Sequence, residues 1–255
     1  EGRVYRLKAY QIPEASRQAK GTAVVNMLPV ETGEKVTAVI PLDSFDEDKF
    51  LLMITKNGTI KKTPLGEYDT ARKGGIRGID LVEGDELIKV VITDGNNDII
   101  IGSHEGQAIR FNEKDVRPMG RVSRGVRGIR LEEGDYVIGM GTVEEDATLL
   151  VISEKGFGKR TEFDEYRVQT RGGKGIFTYR ITEKTGKLAG ITGVTDEDDI
   201  MLITSDGVLI RMHADEISTF GRQTQGVRVM RLADGVNAAS IAVTPHIEED
   251  EKEES

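Results

Sequence analysis

Residues 149–177 read LLVISEKGFGKRTEFDEYRVQTRGGKGIF. An apolar run over 149–153 ends at the turn Glu154-Lys155-Gly156, and a second strand-like run follows it. Glycine at that place takes the positive φ of a tight hairpin turn at little cost. Arg160 stands four positions beyond the glycine, the apolar Tyr166 ten beyond, and a second glycine, Gly175, closes the stretch. A third glycine, Gly186, lies in a polar turn before the next apolar run.

The same order recurs along the whole chain. The turn glycines are Gly2, Gly58, Gly106, Gly156 and Gly207, and the basic residues behind them are Arg6, Lys62, Arg110, Arg160 and Arg211. The apolar positions are Ile12, Tyr68, Val116, Tyr166 and Ile217. Second glycines stand at Gly21, Gly75, Gly125, Gly175 and Gly226, and third ones at Gly33, Gly84, Gly134, Gly186 and Gly235. A period of about fifty residues signals a repeat architecture. Short apolar runs at 51–55, 99–102, 149–153 and 201–204 precede the turns, and runs at 36–40, 87–93, 136–140 and 239–243 close the units. Bounded runs of this length, without sustained helical spacing, predict strands.

Each unit thus offers about four strands, and four-stranded units repeated around an axis predict an all-β, propeller-like fold. A linear β-solenoid or a pair of sandwiches are the competing architectures. The units run roughly 1–49, 50–98, 99–147, 148–199 and 200–245. The first is incomplete, since Glu1 already stands at the turn, and the chain is expected to be a fragment of a longer protein. Residues 246–255 carry Glu248, Glu249, Asp250, Glu251, Glu253 and Glu254 against Lys252, and are read as a disordered acidic tail.

Composition narrows the function. With no cysteine, disulfides, thiolate metal sites and cysteine nucleophiles are excluded. No apolar run spans a bilayer and no signal peptide opens the chain, so a cytoplasmic protein is expected. The net charge of -9 argues against a nucleic-acid partner only if the charge is evenly spread. It is not.

The loops around the second glycines collect Arg17 and Lys20; Arg72, Lys73 and Arg77; Arg121, Arg124 and Arg127; Arg167, Arg171 and Lys174; and Arg222 and Arg228. The stretches 120–130 and 166–180 hold no acid. Equivalent loops of a ring share a rim, and a belt of Arg and Lys fits a phosphate backbone, whose neutralisation releases counterions without reading sequence. These residues are the candidate DNA-binding set, with double-stranded DNA as partner. Neither a recognition helix nor a set of stacking aromatics is present, which disfavours base readout and single-strand binding.

Catalytic chemistry is not legible. No phosphate-binding nucleotide loop occurs. His104, His213 and His246 lack metal-cluster spacing and are expected at the surface, so neither a metal nor a cofactor is expected. The carboxylates Asp198, Asp199 and those at 144–146 are read as turn residues outside any cleft, and the tyrosines, Tyr10 included, as strand and packing residues. With no tryptophan, WD-repeat and kelch blades are disfavoured, leaving a protein-interaction propeller as a weaker alternative.

The stretch Gln169-Thr170-Arg171-Gly172-Gly173-Lys174-Gly175 resembles the Gln-Arg-Arg-Gly-Gly-Lys-Gly box of the C-terminal domain of the DNA gyrase A protein, departing from it at Thr170. Residues 3–14, 58–62, 126–131 and 156–161 are similar to the same family. The resemblance implies a six-bladed β-pinwheel, a propeller relative whose neighbouring blades exchange strands. It further implies DNA wrapped around the rim and presented for strand passage, with ATP hydrolysis in the B protein of an A2B2 complex. In the family the box belongs to the first blade, whereas here it lies in the fourth unit. The equivalent domain of topoisomerase IV is the nearest alternative, with more degenerate repeats.

Overall fold

A computed structural model describes residues 2–16, 19–31, 33–72 and 74–246. Of the candidate DNA-binding residues, Arg17 and Lys73 lie outside the described residues, as does most of the acidic tail, 247–255. The chain is all-β apart from single turns of 3-10 helix. Among the described residues no helix is long and apolar enough to cross a membrane.

The strands follow the repeat. The first unit contributes β1 (Arg3–Val4), and the second β2 (Phe50–Thr55), β3 (Thr59–Pro64), β4 (Ile76–Arg77) and β5 (Leu87–Thr93). The third contributes β6 (Asp98–Ser103), β7 (Gln107–Asn112), β8 (Val126–Arg127) and β9 (Val137–Thr142). Next come β10 (Thr148–Ser153), β11 (Phe157–Glu162), β12 (Ile176–Phe177) and β13 (Leu188–Val194). The last unit holds β14 (Asp198–Thr204), β15 (Leu209–His213), β16 (Val227–Arg228) and β17 (Ala238–Pro245).

Each sheet is antiparallel, and in all but the last the closing strand comes from the following repeat. The orders are β5-β2-β3-β8, β9-β6-β7-β12 and β13-β10-β11-β16, while β4 pairs with β1. The two-residue strand after Gly75, Gly125, Gly175 and Gly226 therefore leaves its own unit and pairs with the preceding one. This exchange defines a β-pinwheel, and it covers an edge that would otherwise be open to association. In the last sheet, β17-β14-β15 has three strands. One register shift recurs between Ile54 and Thr55, Gly102 and Ser103, Ile152 and Ser153, and Ile203 and Thr204, next to the hairpin turn of each blade.

The chain forms two compact units, one of residues 2–96 and 114–128, the other of 97–113 and 129–246. In the first, Leu51, Met53, Leu65, Tyr68, Ile76 and Ile79 make the core. In the second, successive residues of β10 serve two cores. Leu149 and Val151 face Phe163, Tyr166 and Tyr179, whereas Leu150 and Ile152 face Ile200, Leu202 and Ile217. A strand covered on both faces carries an unbroken apolar run rather than an alternating one. That is why 149–152 reads Leu-Leu-Val-Ile.

Three expectations need correction. The run at 36–40 is not a strand, whereas the closing runs of the later units pair with the strand before the turn glycine. In the same unit Tyr10 is 84% exposed rather than a packing residue. His104 is buried, not at the surface; it stacks on Tyr136 at 4.4 Å, with Nδ1 2.8 Å from the Leu188 carbonyl.

Candidate nucleic-acid interface

Loops 117–125, 167–175 and 218–226 each follow a 3-10 turn and lead into the exchanged strand, so the preceding blade holds each at both ends. At the entrance the N–H groups of Met119, Gln169 and Phe220 donate to the carbonyls of Lys62, Arg110 and Arg160 at 2.8, 2.8 and 2.9 Å. At the exit Gly128, Thr178 and Val229 donate to the turn glycines Gly58, Gly106 and Gly156 at 2.8, 2.9 and 2.9 Å. In the middle the carbonyls of Ser123, Gly173 and Thr224 accept from the N–H groups of Asp80, Arg130 and Arg180 at 3.2, 2.8 and 3.2 Å. Three backbone anchors at matching positions give the loops 117–125, 167–175 and 218–226 one shape.

The second glycine makes this docking sterically feasible. At Gly175, φ is +80° and a Cβ would lie 2.5 Å from the Ala108 carbonyl oxygen; at Gly125, φ is +105° and the Ile60 oxygen would lie 2.5 Å away. Any side chain there would meet backbone of the receiving strand.

The candidate DNA-binding residues divide into two groups. Lys20, Arg72, Arg77, Arg124, Arg127, Arg167, Lys174 and Arg228 are exposed. Arg121, Arg171 and Arg222, which share one loop position, are half-buried. Arg121 donates from Nη1 to the Arg77 carbonyl at 3.3 Å, and Arg222 likewise to the Phe177 carbonyl, so both brace the loop against the short strand of the preceding repeat. Arg228 also lies over the Phe157 ring at 5.0 Å.

The loops are acid-poor in sequence but not in space. Asp80 receives Arg124 at 2.9 Å and Arg77 at 3.3 Å, and Glu132 pairs with Lys174 at 2.5 Å. Arg124 holds the Asp80 carboxyl below its ordinary range, and Lys174 does the same for Glu132. Exposed pairs of this kind are individually weak and screened by salt. Phosphates can therefore displace them at small cost. Glu67 and Glu165 act differently, accepting the backbone N–H groups of Arg121 and Arg222 at 3.1 and 2.7 Å.

The sequence pattern missed two kinds of residue. Arg117 is exposed at the loop position that Arg167 occupies in the next repeat, and its fixed place after Val116 was the available signal. Lys61 and Lys159, three residues behind turn glycines, are fully buried beneath loops 117–125 and 218–226. Of the repeated basic positions, Arg110 and Arg160 are internal braces. Arg110 bonds Asp98 at 2.9 Å and the Phe163 carbonyl at 2.9 Å, and Arg160 bonds the Ile217 carbonyl at 2.7 Å.

Other polar clusters offer less. Asp199 lies buried within β14 rather than in a turn. Asp199, His213 and His246 bring one possible metal ligand each within 4.8 Å of one another. Yet Arg211 chelates the Asp199 carboxylate and His246 Nδ1 sits 3.0 Å from it. Burial raises that carboxyl, but Arg211 and His246 outweigh it and hold it below its ordinary value. A guanidinium already supplies the positive charge a metal would bring. Glu144, Glu145 and Asp146 stand at a turn, as read from the sequence, but line a recess together with Arg110, Arg160 and Asp196, a correction to their placement outside any cleft.

A family model described as the DNA gyrase C-terminal domain, β-propeller, matches residues 1–43, 49–94, 97–144, 147–194 and 198–245. The chain is 55% identical over 231 residues to the gyrase A protein of Clostridium acetobutylicum, covering 91% of this chain and 28% of that protein. It is 52% identical over 254 residues to the gyrase A protein of Halalkalibacterium halodurans, covering 100% and 30%. The chain thus spans less than a third of the length of these curated relatives. Among solved structures, the C-terminal domain of DNA topoisomerase IV superposes with a TM-score of 0.88 at 25% identity, over 96% of this chain and 77% of that one. The DNA gyrase A C-terminal domain gives 0.82 at 27%, over 95% and 79%.

Proposed function

This chain belongs to the DNA gyrase C-terminal domain family, and on that footing we propose that it binds duplex DNA irrespective of sequence, bends it and wraps it along its basic loops. In this reading it presents a DNA segment for strand passage by the remainder of the gyrase A protein, acting with the B protein in an A2B2 complex on the bacterial nucleoid. Strand cleavage and ATP hydrolysis fall outside the chain, which uses no cofactor or metal of its own.

The observation that carries the reading is the repeated docking of arginine-bearing loops by the same three backbone anchors. Bending 20 to 30 base pairs by 40 to 90° costs on the order of 1 to 6 kcal/mol, so contacts must be spread along the duplex to offset it. One patch would hold straight DNA; bending it takes several equivalent loops. The test is duplex affinity against salt. Each neutralised phosphate contributes a slope of about -0.9 in log K against log salt. A steep slope, equal for unrelated sequences, is expected, and a slope near zero removes the reading.

A topoisomerase IV domain is the second reading, favoured by the higher TM-score of 0.88 against 0.82. Sequence similarity weighs the other way, with gyrase A proteins at 55% and 52% identity. Ligating nicked circular DNA in the presence of the chain separates them. A wrapping domain changes the linking number, whereas a domain that only bends DNA leaves it unchanged.

A further inference from the structure

Lys61 and Lys159 occupy the same place in the second and fourth repeats, and each is 0% exposed. Among the described residues, neither ammonium meets a carboxylate at ion-pair distance. Lys61 Nζ donates to the Gly78 carbonyl at 2.5 Å and to the Arg121 carbonyl. Lys159 Nζ donates to the carbonyls of Gly221 and Arg222 at 2.7 and 2.6 Å. Arg121 and Arg222 are the bracing arginines of two basic loops, and their N–H groups are held in turn by Glu67 and Glu165. Each of these two loops is therefore clasped at one residue between a buried cation and a carboxylate.

Space-filling does not require a lysine there. The equivalent residue of the third repeat is Ile109, beneath loop 167–175, where its Cδ1 lies 3.6 Å from the position a Cβ would take on Gly173. A buried cation without a carboxylate is costly to keep, and an apolar side chain of similar length would cost less. Its retention twice, at one repeat position and each time on loop carbonyls, points to a task in the loop.

We propose that Lys61 and Lys159 are positioning residues for DNA, each fixing the arginine-bearing loop of the following repeat so that its exposed guanidiniums meet the phosphate backbone. The proposal rests on the DNA-binding reading and specifies what controls it. Loops 117–125 and 218–226 depend on a protonated amine, and loop 167–175 does not.

The two amines also make the grip sensitive to pH. Burial pulls both down to about 8 from the ordinary lysine value. The groups facing Lys61 are Glu67, Asp80, Arg121 and Tyr68, whose hydroxyl shares the Gly78 carbonyl; those facing Lys159 are Glu165, Arg222 and Tyr179. Of the facing carboxylates, Asp80 is held below its ordinary range by Arg124. Burial pushes Tyr68 up to about 12 and raises Tyr179 as well. A neutral amine still donates, but without the charge that roughly doubles such bonds. The folded-state value is depressed, so the unfolded chain binds more protons between about pH 8 and about 10.4, and these lysines add stability as pH rises through that window. Weaker DNA binding there is thus not unfolding driven by these groups.

The test uses the full chain and a fluorescently labelled linear duplex. The double variant Lys61→Met, Lys159→Met is expected to bind roughly tenfold more weakly at neutral pH, one bracing bond to loop 117–125 and two to loop 218–226 being lost. It should also lose the decline in affinity that the unsubstituted chain shows above about pH 8. A variant that melts like the parent, binds equally tightly and keeps the same pH profile overturns the proposal. Should the variant not fold, backbone hydrogen exchange in the parent decides, with loop 167–175 as internal reference. Selective loss of protection in loops 117–125 and 218–226 as pH rises supports the proposal, and parallel behaviour of all three loops overturns it. Absence of any salt-dependent duplex binding by the parent chain would instead remove the DNA reading, leaving the exchange result to judge the lysines.

Discussion

Replacing Gly175 by alanine tests whether close docking of the basic loop on the preceding blade is what holds the exchanged strand. Two costs are separable. The φ of +80° places alanine in the left-handed region, at roughly 1 to 2 kcal/mol. The new Cβ would also lie 2.5 Å from the Ala108 oxygen and 2.8 Å from its carbonyl carbon, both backbone atoms of β7 that cannot swing aside. The exchanged strand β12 meets β7 only through Ile176 opposite Ala108 and Phe177 opposite Gln107, so a shift there breaks the whole ladder. With those bonds and the Thr178 anchor weakened, a total of about 3 to 4 kcal/mol is expected. At about 2 to 4 °C per kcal/mol for a chain of this size, the melting temperature should fall by roughly 6 to 16 °C. Gly134→Ala is the control, since its φ is +81° but nothing lies within 4 Å of the added Cβ. It should cost only the conformational part, and calorimetry of both variants isolates the contact. Equal melting temperatures for the two would show that the loop does not dock as described.

Neutralising Arg121, Arg124 and Arg127 together should weaken duplex affinity and lower the salt slope by roughly one unit per lost phosphate contact. Because Arg121 also braces its loop, Arg124→Gln with Arg127→Gln alone should give most of the slope change with less effect on melting. Neutralising the loop of Arg171 and Lys174 as well should reduce the DNA bend read by energy transfer more than either loop alone; an unchanged bend at saturating protein refutes a shaping role. Removing residues 247–255 should tighten binding at low salt, where the tail's acids compete with phosphate, and the difference should fade as screening shortens to roughly 10 Å at 0.1 M. Equal affinities at low ionic strength would sink that idea.

What could be read along the chain and what could not follows from the range of the interactions. The hairpin turns, the apolar runs before them and the spacing of Arg117 to Arg124 or Arg167 to Lys174 are set by local φ preferences and by burial that repeats with the unit. They are therefore written in the sequence. Which sheet a two-residue strand such as Val126–Arg127 or Ile176–Phe177 joins is not, because two residues carry no period. The gyrase resemblance implied the exchange; the residue pattern did not. Loop electrostatics were likewise misread from sequence, since Asp80 and Glu132 reach the basic loops from outside them. Lys61 and Lys159 look like two more surface cations in a strand, next to residues already assigned to charge. Only the tertiary structure decides that their amines turn inward, because a cation is worth burying solely where carbonyls from a distant loop converge on it.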